Sequence, residues 1–168
     1  IRVYHPNGTA LVSRSSGIST VLAEPGNLPV AGTYTISIDP TLTGTGTTTI
    51  TLYDVPADVT GTFSPTSGGD AETVTTTVPG QNGLHTFSGT SGQRISLKVG
   101  GGPNGTVAML NPDNSTLASK SIGIFSGWVE PQTLGSTGTY SVFTNYLEHA
   151  IGSVTNTVYD VPTDTAGS

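Results

Sequence analysis

Apolar side chains in this chain alternate with polar ones instead of recurring every three to four residues. Thr33-Tyr34-Thr35-Ile36-Ser37-Ile38 and Thr139-Tyr140-Ser141-Val142-Phe143-Thr144 follow a period of two, as a half-buried strand does. Similar patterns predict strands over Ile1–Tyr4, Ala10–Ser13, residues 18–24, Thr47–Tyr53, Glu72–Val78, Leu84–Ser88, Arg94–Val99, Val107–Leu110, Thr116–Ser119, residues 124–130 and Ser153–Tyr159. Between them lie His5-Pro6-Asn7-Gly8, Pro79-Gly80-Gln81-Asn82-Gly83, Gly89-Thr90-Ser91-Gly92 and Asn111-Pro112-Asp113-Asn114. Proline presets φ in such turns, and Asn and Gly tolerate the positive φ that reverses the chain. The strands at 18–24 and 124–130 are each expected to end in Glu-Pro. No window longer than about eight residues carries helical spacing. Short strands, frequent turns and no helix indicate an all-β fold of β-sandwich or jelly-roll type.

The chain repeats itself. Shifting it by 106 positions lays residues 1–62 on residues 107–168 without a gap and with 21 identities. Pro6 meets Pro112, Gly17 meets Gly123, Glu24-Pro25 meets Glu130-Pro131, and Gly32-Thr33-Tyr34 meets Gly138-Thr139-Tyr140. Tyr53-Asp54-Val55-Pro56 returns as Tyr159-Asp160-Val161-Pro162. Short solenoid arrays repeat at roughly 20–50 residues, so a unit of this length is a domain in a tandem series. Residues 63–162 are expected to form one complete sandwich, with 57–62 a linker before it and 163–168 a tail or linker after it. Residues 1–56 match only the second half of a repeat and lack three strands. Such a half sandwich exposes its core face and an unpaired strand edge, which invites pairing by another chain.

Composition narrows the function. Charged residues are 10% of the chain and the net charge is −6, with two Lys and three Arg. No basic patch remains to neutralise phosphates, which argues against nucleic-acid binding. No apolar run is long enough for a membrane-spanning helix. The absence of Cys removes disulfides, thiolate metal sites and Cys nucleophiles together. A Thr/Ser-rich, Lys-poor chain with no initial Met fits a processed product or a piece of a longer protein outside the cell or on its surface.

Phe87, Gly92-Gln93-Arg94-Ile95-Ser96-Leu97, Met109-Leu110-Asn111-Pro112-Asp113-Asn114, Leu134 and Gly138-Thr139-Tyr140-Ser141-Val142 resemble the bacterial pre-peptidase C-terminal domain. The first copy carries the later half of that pattern as Val3-Tyr4-His5-Pro6-Asn7-Gly8 and Ala31-Gly32-Thr33-Tyr34-Thr35-Ile36. The resemblance implies a jelly-roll-like sandwich, a secreted or surface location and a non-catalytic accessory role. Some members bind polymers or calcium. The family's acidic pairs are replaced here by Gly105-Thr106-Val107-Ala108, so calcium is not carried over.

Candidate chemistry is sparse. His5, His85 and His149 are read as surface residues, because no nucleophile elbow of the Gly-x-Ser-x-Gly type accompanies them. Asp54, Asp58, Asp160 and Asp164 recur beside Pro, but a hard cation needs about six oxygens, and turn capping explains them better. Glu24 and Glu130 are expected to accept backbone N–H bonds. Trp128, whose counterpart is Leu22, is expected in the core, as are Tyr34, Tyr53, Tyr140 and Tyr159. Asn7, Asn104 and Asn114 each open an Asn-x-Ser/Thr sequence that offers a glycan attachment point.

These readings favour a structural subunit of an extracellular bacterial fibre or stalk, without enzyme activity or cofactor. Its partners are other copies of itself, joined head to tail by β-strand complementation. Thr73, Val74, Thr75, Thr76, Thr77 and Val78 are the candidate assembly strand. The alternative is a carbohydrate-binding or adhesive module of a larger secreted protein.

Overall fold

The computed structural model describes residues 1–163 apart from residues 16, 18, 25, 41 and 42. The described residues contain strands and turns but no helix, so none is long and apolar enough to cross a membrane. The chain divides into two compact units, Ile1–Tyr53 and Asp54–Ser168. The first holds β1 (Arg2–Tyr4), β2 (Ala10–Ser13) and β3 (Thr35–Ser37) in one antiparallel sheet of order β2-β1-β3. In the second lie β4 (Val59–Thr62), β5 (Asp70–Thr76), β6 (Gly83–Gly89), β7 (Arg94–Val99), β8 (Gly105–Leu110), β9 (Thr116–Ile122), β10 (Gly127–Thr133), β11 (Gly138–Tyr146) and β12 (Gly152–Asp160).

The second unit is a complete sandwich. One sheet has the order β4-β6-β11-β8-β9 and the other β10-β7-β12-β5. Alternation puts Tyr140, Val142, Thr144 and Tyr146 of β11 inside, with Phe87, Val107, Met109 and Ile122 of the same sheet. They meet Val74, Ile95, Leu97, Val99, Val129, Val154 and Val158 of the opposite sheet in one cluster. Tyr140 stacks on Phe87 with ring centroids 5.5 Å apart, and its hydroxyl donates to the carbonyl of Ser136 at 2.8 Å.

Two expectations change here. Residues 57–62, read as a linker, contain β4, which pairs in parallel with β6 from Val59 opposite Gly83 to Thr62 opposite Thr86. Its four residues are too short for periodicity to show, and only the neighbouring β6 holds them extended. Glu130-Pro131 does not end its strand either. β10 runs on to Thr133, with a register break between Val129 and Gln132. A missing N–H is tolerated at a bulge of an edge strand, and β10 is an edge strand.

The first unit copies part of this sandwich in detail. Arg2, Val3 and Tyr4 pair with Ser37, Ile36 and Thr35, as Ala108, Met109 and Leu110 pair with Phe143, Val142 and Ser141. The bulge between Val3 and Tyr4 recurs between Met109 and Leu110. Asn7 accepts from the backbone N–H of Thr9 at 3.0 Å, and Asp113 from that of Ser115 at 2.9 Å. Those bonds from Ser115, from side chain and backbone, hold the Asp113 carboxyl below the usual range.

The strands expected at residues 18–24 and Thr47–Tyr53 do not form among the described residues, although Ser153–Tyr159 lies within β12. Ile18 lies outside the described residues. The cause is pairing. In the complete repeat the only strand partner of β10 is β7, and those of β12 are β5 and β7, whereas β8 pairs with both β9 and β11. The first unit has no counterparts of β5–β7, so only that trio appears. A strand without a ladder leaves its N–H and C=O groups to water and gains nothing from extension.

Candidate functional site

The most unusual surface is the face that the first unit would bury if it were complete. Leu28 is 57% exposed while its counterpart Leu134 is 1% exposed; Ile36 is 37% and Val142 0%; Leu52 is 85% and Val158 0%. Ile38 and Ile50 are also exposed, where Thr144 and Asn156 are buried. The partial copy thus keeps side chains of core type with nothing over them. Fully covering one such side chain contributes about 1.5–3 kcal/mol. Beside Ile38 lies an open depression of about 520 Å³ that also touches Ile1, Arg2, Arg14, Asp39 and Thr47. The outer edge of β3 is unpaired in its sheet, whereas the matching edge of β11 pairs with β6 along Gly138–Thr144.

The candidate assembly strand falls on β5. Thr73, Val74, Thr75 and Thr76 pair with Thr155, Val154, Ser153 and Gly152 of β12. Thr73 and Thr155 join their hydroxyls at 2.8 Å, as do Thr75 and Ser153. Val74 and Thr76 face the core, and the N–H of Thr77 donates to the side chain of Gln81 at 3.1 Å just before Val78. β5 ends its sheet, so one of its edges is free of a strand.

The remaining candidates scatter. Asn7, Asn104 and Asn114 are exposed, and Asn114 adopts a φ of 65° that suits Asn in a turn. Asp58 accepts from the N–H of Asn82 at 3.2 Å, and Asp160 from the amide of Gln93 at 3.2 Å, so both tie loops of the sandwich. Asp164 and Pro25 lie outside the described residues. Glu130 is exposed on β10. No group of three or more His, Asp or Glu that could hold a metal occurs among the described residues.

Of the histidines, His149 is exposed and His5 lies in its turn near Tyr34, with ring centroids 5.9 Å apart. His85 is not on the surface. It is 2% exposed in β6, opposite Gly61 of β4, with its ring 5.6 Å from that of Phe63. Alternation along Leu84–Ser88 places it inside, and the absence of a side chain at Gly61 makes room for the ring. Burial pushes its pKa down, only partly countered by Glu72. The unfolded chain therefore takes up this proton before the folded one. Stability from neutral His85 is complete above a pH of about 6.5 and is lost as the pH falls from there toward the folded value. Thermal unfolding followed from pH 7.5 downward should give a steeper fall for the wild type than for His85→Leu; parallel curves would refute this.

Trp128 is the clearest correction. It is 48% exposed, on the outward face of the four-stranded sheet, and not in the core. Its ring lies 5.4 Å from that of Tyr159, and the Lys98 ammonium sits 5.9 Å from its centre. Ser96 points outward between the buried Ile95 and Leu97 yet is only 6% exposed, because the two rings lie across the strand between them. Tyr159 rests on the turn at Gly69, where φ is 82° and any side chain would collide with the ring. Tyr53 has the same place in the first copy and is exposed. Leu22 could not reveal the site, since an aliphatic counterpart suits either face.

No protein-family model and no curated protein matches the chain. Among solved structures, it is similar to a periplasmic inhibitor of g-type lysozyme from Aeromonas hydrophila. That match has a TM-score of 0.46 and 13% identity, covering 62% of this chain and 98% of the other. It is also similar to the pre-peptidase C-terminal domain of collagenase from Bacillus anthracis, with a TM-score of 0.43 and 14% identity over 64% and 99% of the two chains. The second structure is a domain of the kind that the sequence motifs resemble.

Proposed function

We propose that this chain is a non-catalytic structural subunit of an extracellular bacterial fibre or stalk. Its Ile1–Tyr53 unit accepts strands of the β5–β7 pattern from a neighbouring subunit. The single observation behind this reading is the set of core-type side chains left uncovered there, with Leu28, Ile36 and Leu52 exposed where Leu134, Val142 and Val158 are buried. Main-chain ladder bonds to the open edge of β3 would supply attachment, and the uncovered side chains specificity.

Head-to-tail growth fits the path of the chain through the complete repeat. It enters beside Asn82, where the N–H of Val59 donates to the Asn82 carbonyl at 2.8 Å, and leaves beside Gln93 after Asp160. Those points lie at opposite ends of β6. The donor is a strand set not already used in its own repeat. Exchange of β5–β7 between two copies of residues 1–168 would only move the vacancy from one repeat to the other. The absence of enzyme activity rests on the dispersal of the histidines and carboxylates described above, and the location on the Thr/Ser-rich, Cys-free composition.

The test supplies residues 57–103, which carry β4–β7, as a separate polypeptide to the full chain. One segment is expected to bind per chain and to protect residues 1–53 from protease. Ile36→Asp with Leu52→Asp should weaken binding by about 100-fold without moving the unfolding of the complete repeat, since two desolvated side chains at about 1.5 kcal/mol or more are lost. No binding, or equal binding to the variant, overturns completion by strands. Light scattering and electron microscopy of a chain joined to its donor then test the fibre: complexes that never lengthen refute it.

A further inference from the structure

The outward face around Trp128 takes no part in completing the first unit. It gathers the only tryptophan of the chain, a tyrosine fixed behind it by the turn at Gly69, and Lys98, one of only two lysines in a chain of net charge −6. The other lysine, Lys120, runs along Gly127, the residue before Trp128. We propose that Trp128, Tyr159 and Lys98 form a subsite for a pyranose carrying a carboxylate, a uronic-acid unit of an acidic polysaccharide.

Each part of the arrangement matches that ligand. A half-exposed indole offers an apolar face on which the C–H face of a sugar ring can lie, while the sheet holds the side chain rigid. Lys98 faces Trp128 directly across the β7–β10 pairing. Its ammonium already stands at the outer limit of cation–π distance from the ring. A stacked uronate would bring its exocyclic carboxylate to that ammonium. Elsewhere an acidic chain repels a polyanion, so the attraction is local to this face. The exposed Glu130, two residues further along β10, disfavours densely sulfated chains and leaves one carboxylate beside Lys98 as the best match.

As the only tryptophan, Trp128 reports on its own occupancy. Titrating the full chain with tri-galacturonate should change its fluorescence saturably. Lys98→Gln, which removes the charge from a half-buried side chain, should weaken binding about ten-fold, and raising the salt should act in the same direction. Cellotriose, of similar size and uncharged, should bind about ten-fold more weakly than tri-galacturonate. Trp128→Ala should abolish the heat of binding in calorimetry while the chain unfolds at the wild-type temperature. No saturable change with tri-galacturonate overturns the subsite. Equal binding of the two sugars, or indifference to Lys98→Gln, overturns the acidic ligand.

Discussion

Tyr140→Ala is expected to destabilise the complete repeat by about 3–5 kcal/mol, the range for removing a large buried ring. Tyr140 is fully buried, stacks on Phe87, and closes the turn before β11 through its bond to Ser136. Truncation would open a cavity between the sheets and remove the partner of that carbonyl. Tyr140→Phe isolates the second effect and should cost about 0.5–1.5 kcal/mol. The informative control is Tyr34→Ala. Tyr34 stands at the same repeat position and makes the same bond, to the carbonyl of Val30 at 2.7 Å, but no opposing sheet covers it. That variant should leave the unfolding of the complete repeat unmoved. Urea denaturation distinguishes these outcomes, and a cost below about 1.5 kcal/mol for Tyr140→Ala would refute the packing account.

A second large effect is expected at the polar pair inside the sandwich. Asn156 donates from its side-chain amide to the Thr144 hydroxyl at 3.1 Å, and both are buried. Their counterparts in the first copy are Ile50 and Ile38, so the two positions are both polar in one copy and both apolar in the other. Thr144→Val or Asn156→Leu alone leaves one buried polar group unpaired and should cost about 1–3 kcal/mol. The double variant removes both groups at nearly constant volume. It also removes the Asn156 carbonyl oxygen, which is buried with no bonding partner. It should therefore be more stable than the sum of the single variants by about 1–3 kcal/mol, and near the wild type. Additivity of the two substitutions would show that the bond contributes nothing.

Local pattern was legible where it depends on neighbours in sequence. Arg94–Val99 and Ala10–Ser13 are strands over the predicted residues, and the turn at Asn111–Asn114 closes as its Pro and Asn suggest. His85, Trp128 and Tyr159 were misplaced for one shared reason. Period two says that alternate residues share a face, but not which face meets the other sheet. β4 was missed because four residues ending in Gly-Thr carry no periodicity of their own. Its strand state is conferred by β6.

The sequence by itself determined the all-β class, the 106-residue repeat and the match of residues 1–62 to residues 107–168, because alternation, turn residues and self-similarity are properties of order along the chain. Only the tertiary structure decided which strands of the incomplete copy exist, which of its apolar side chains lie bare, and that Trp128, Tyr159 and Lys98 meet on one outward face. Ladder pairing and burial depend on partners far away in sequence. A segment such as Thr47–Tyr53 carries the pattern of a strand, but it becomes one only where another strand is present to receive its hydrogen bonds.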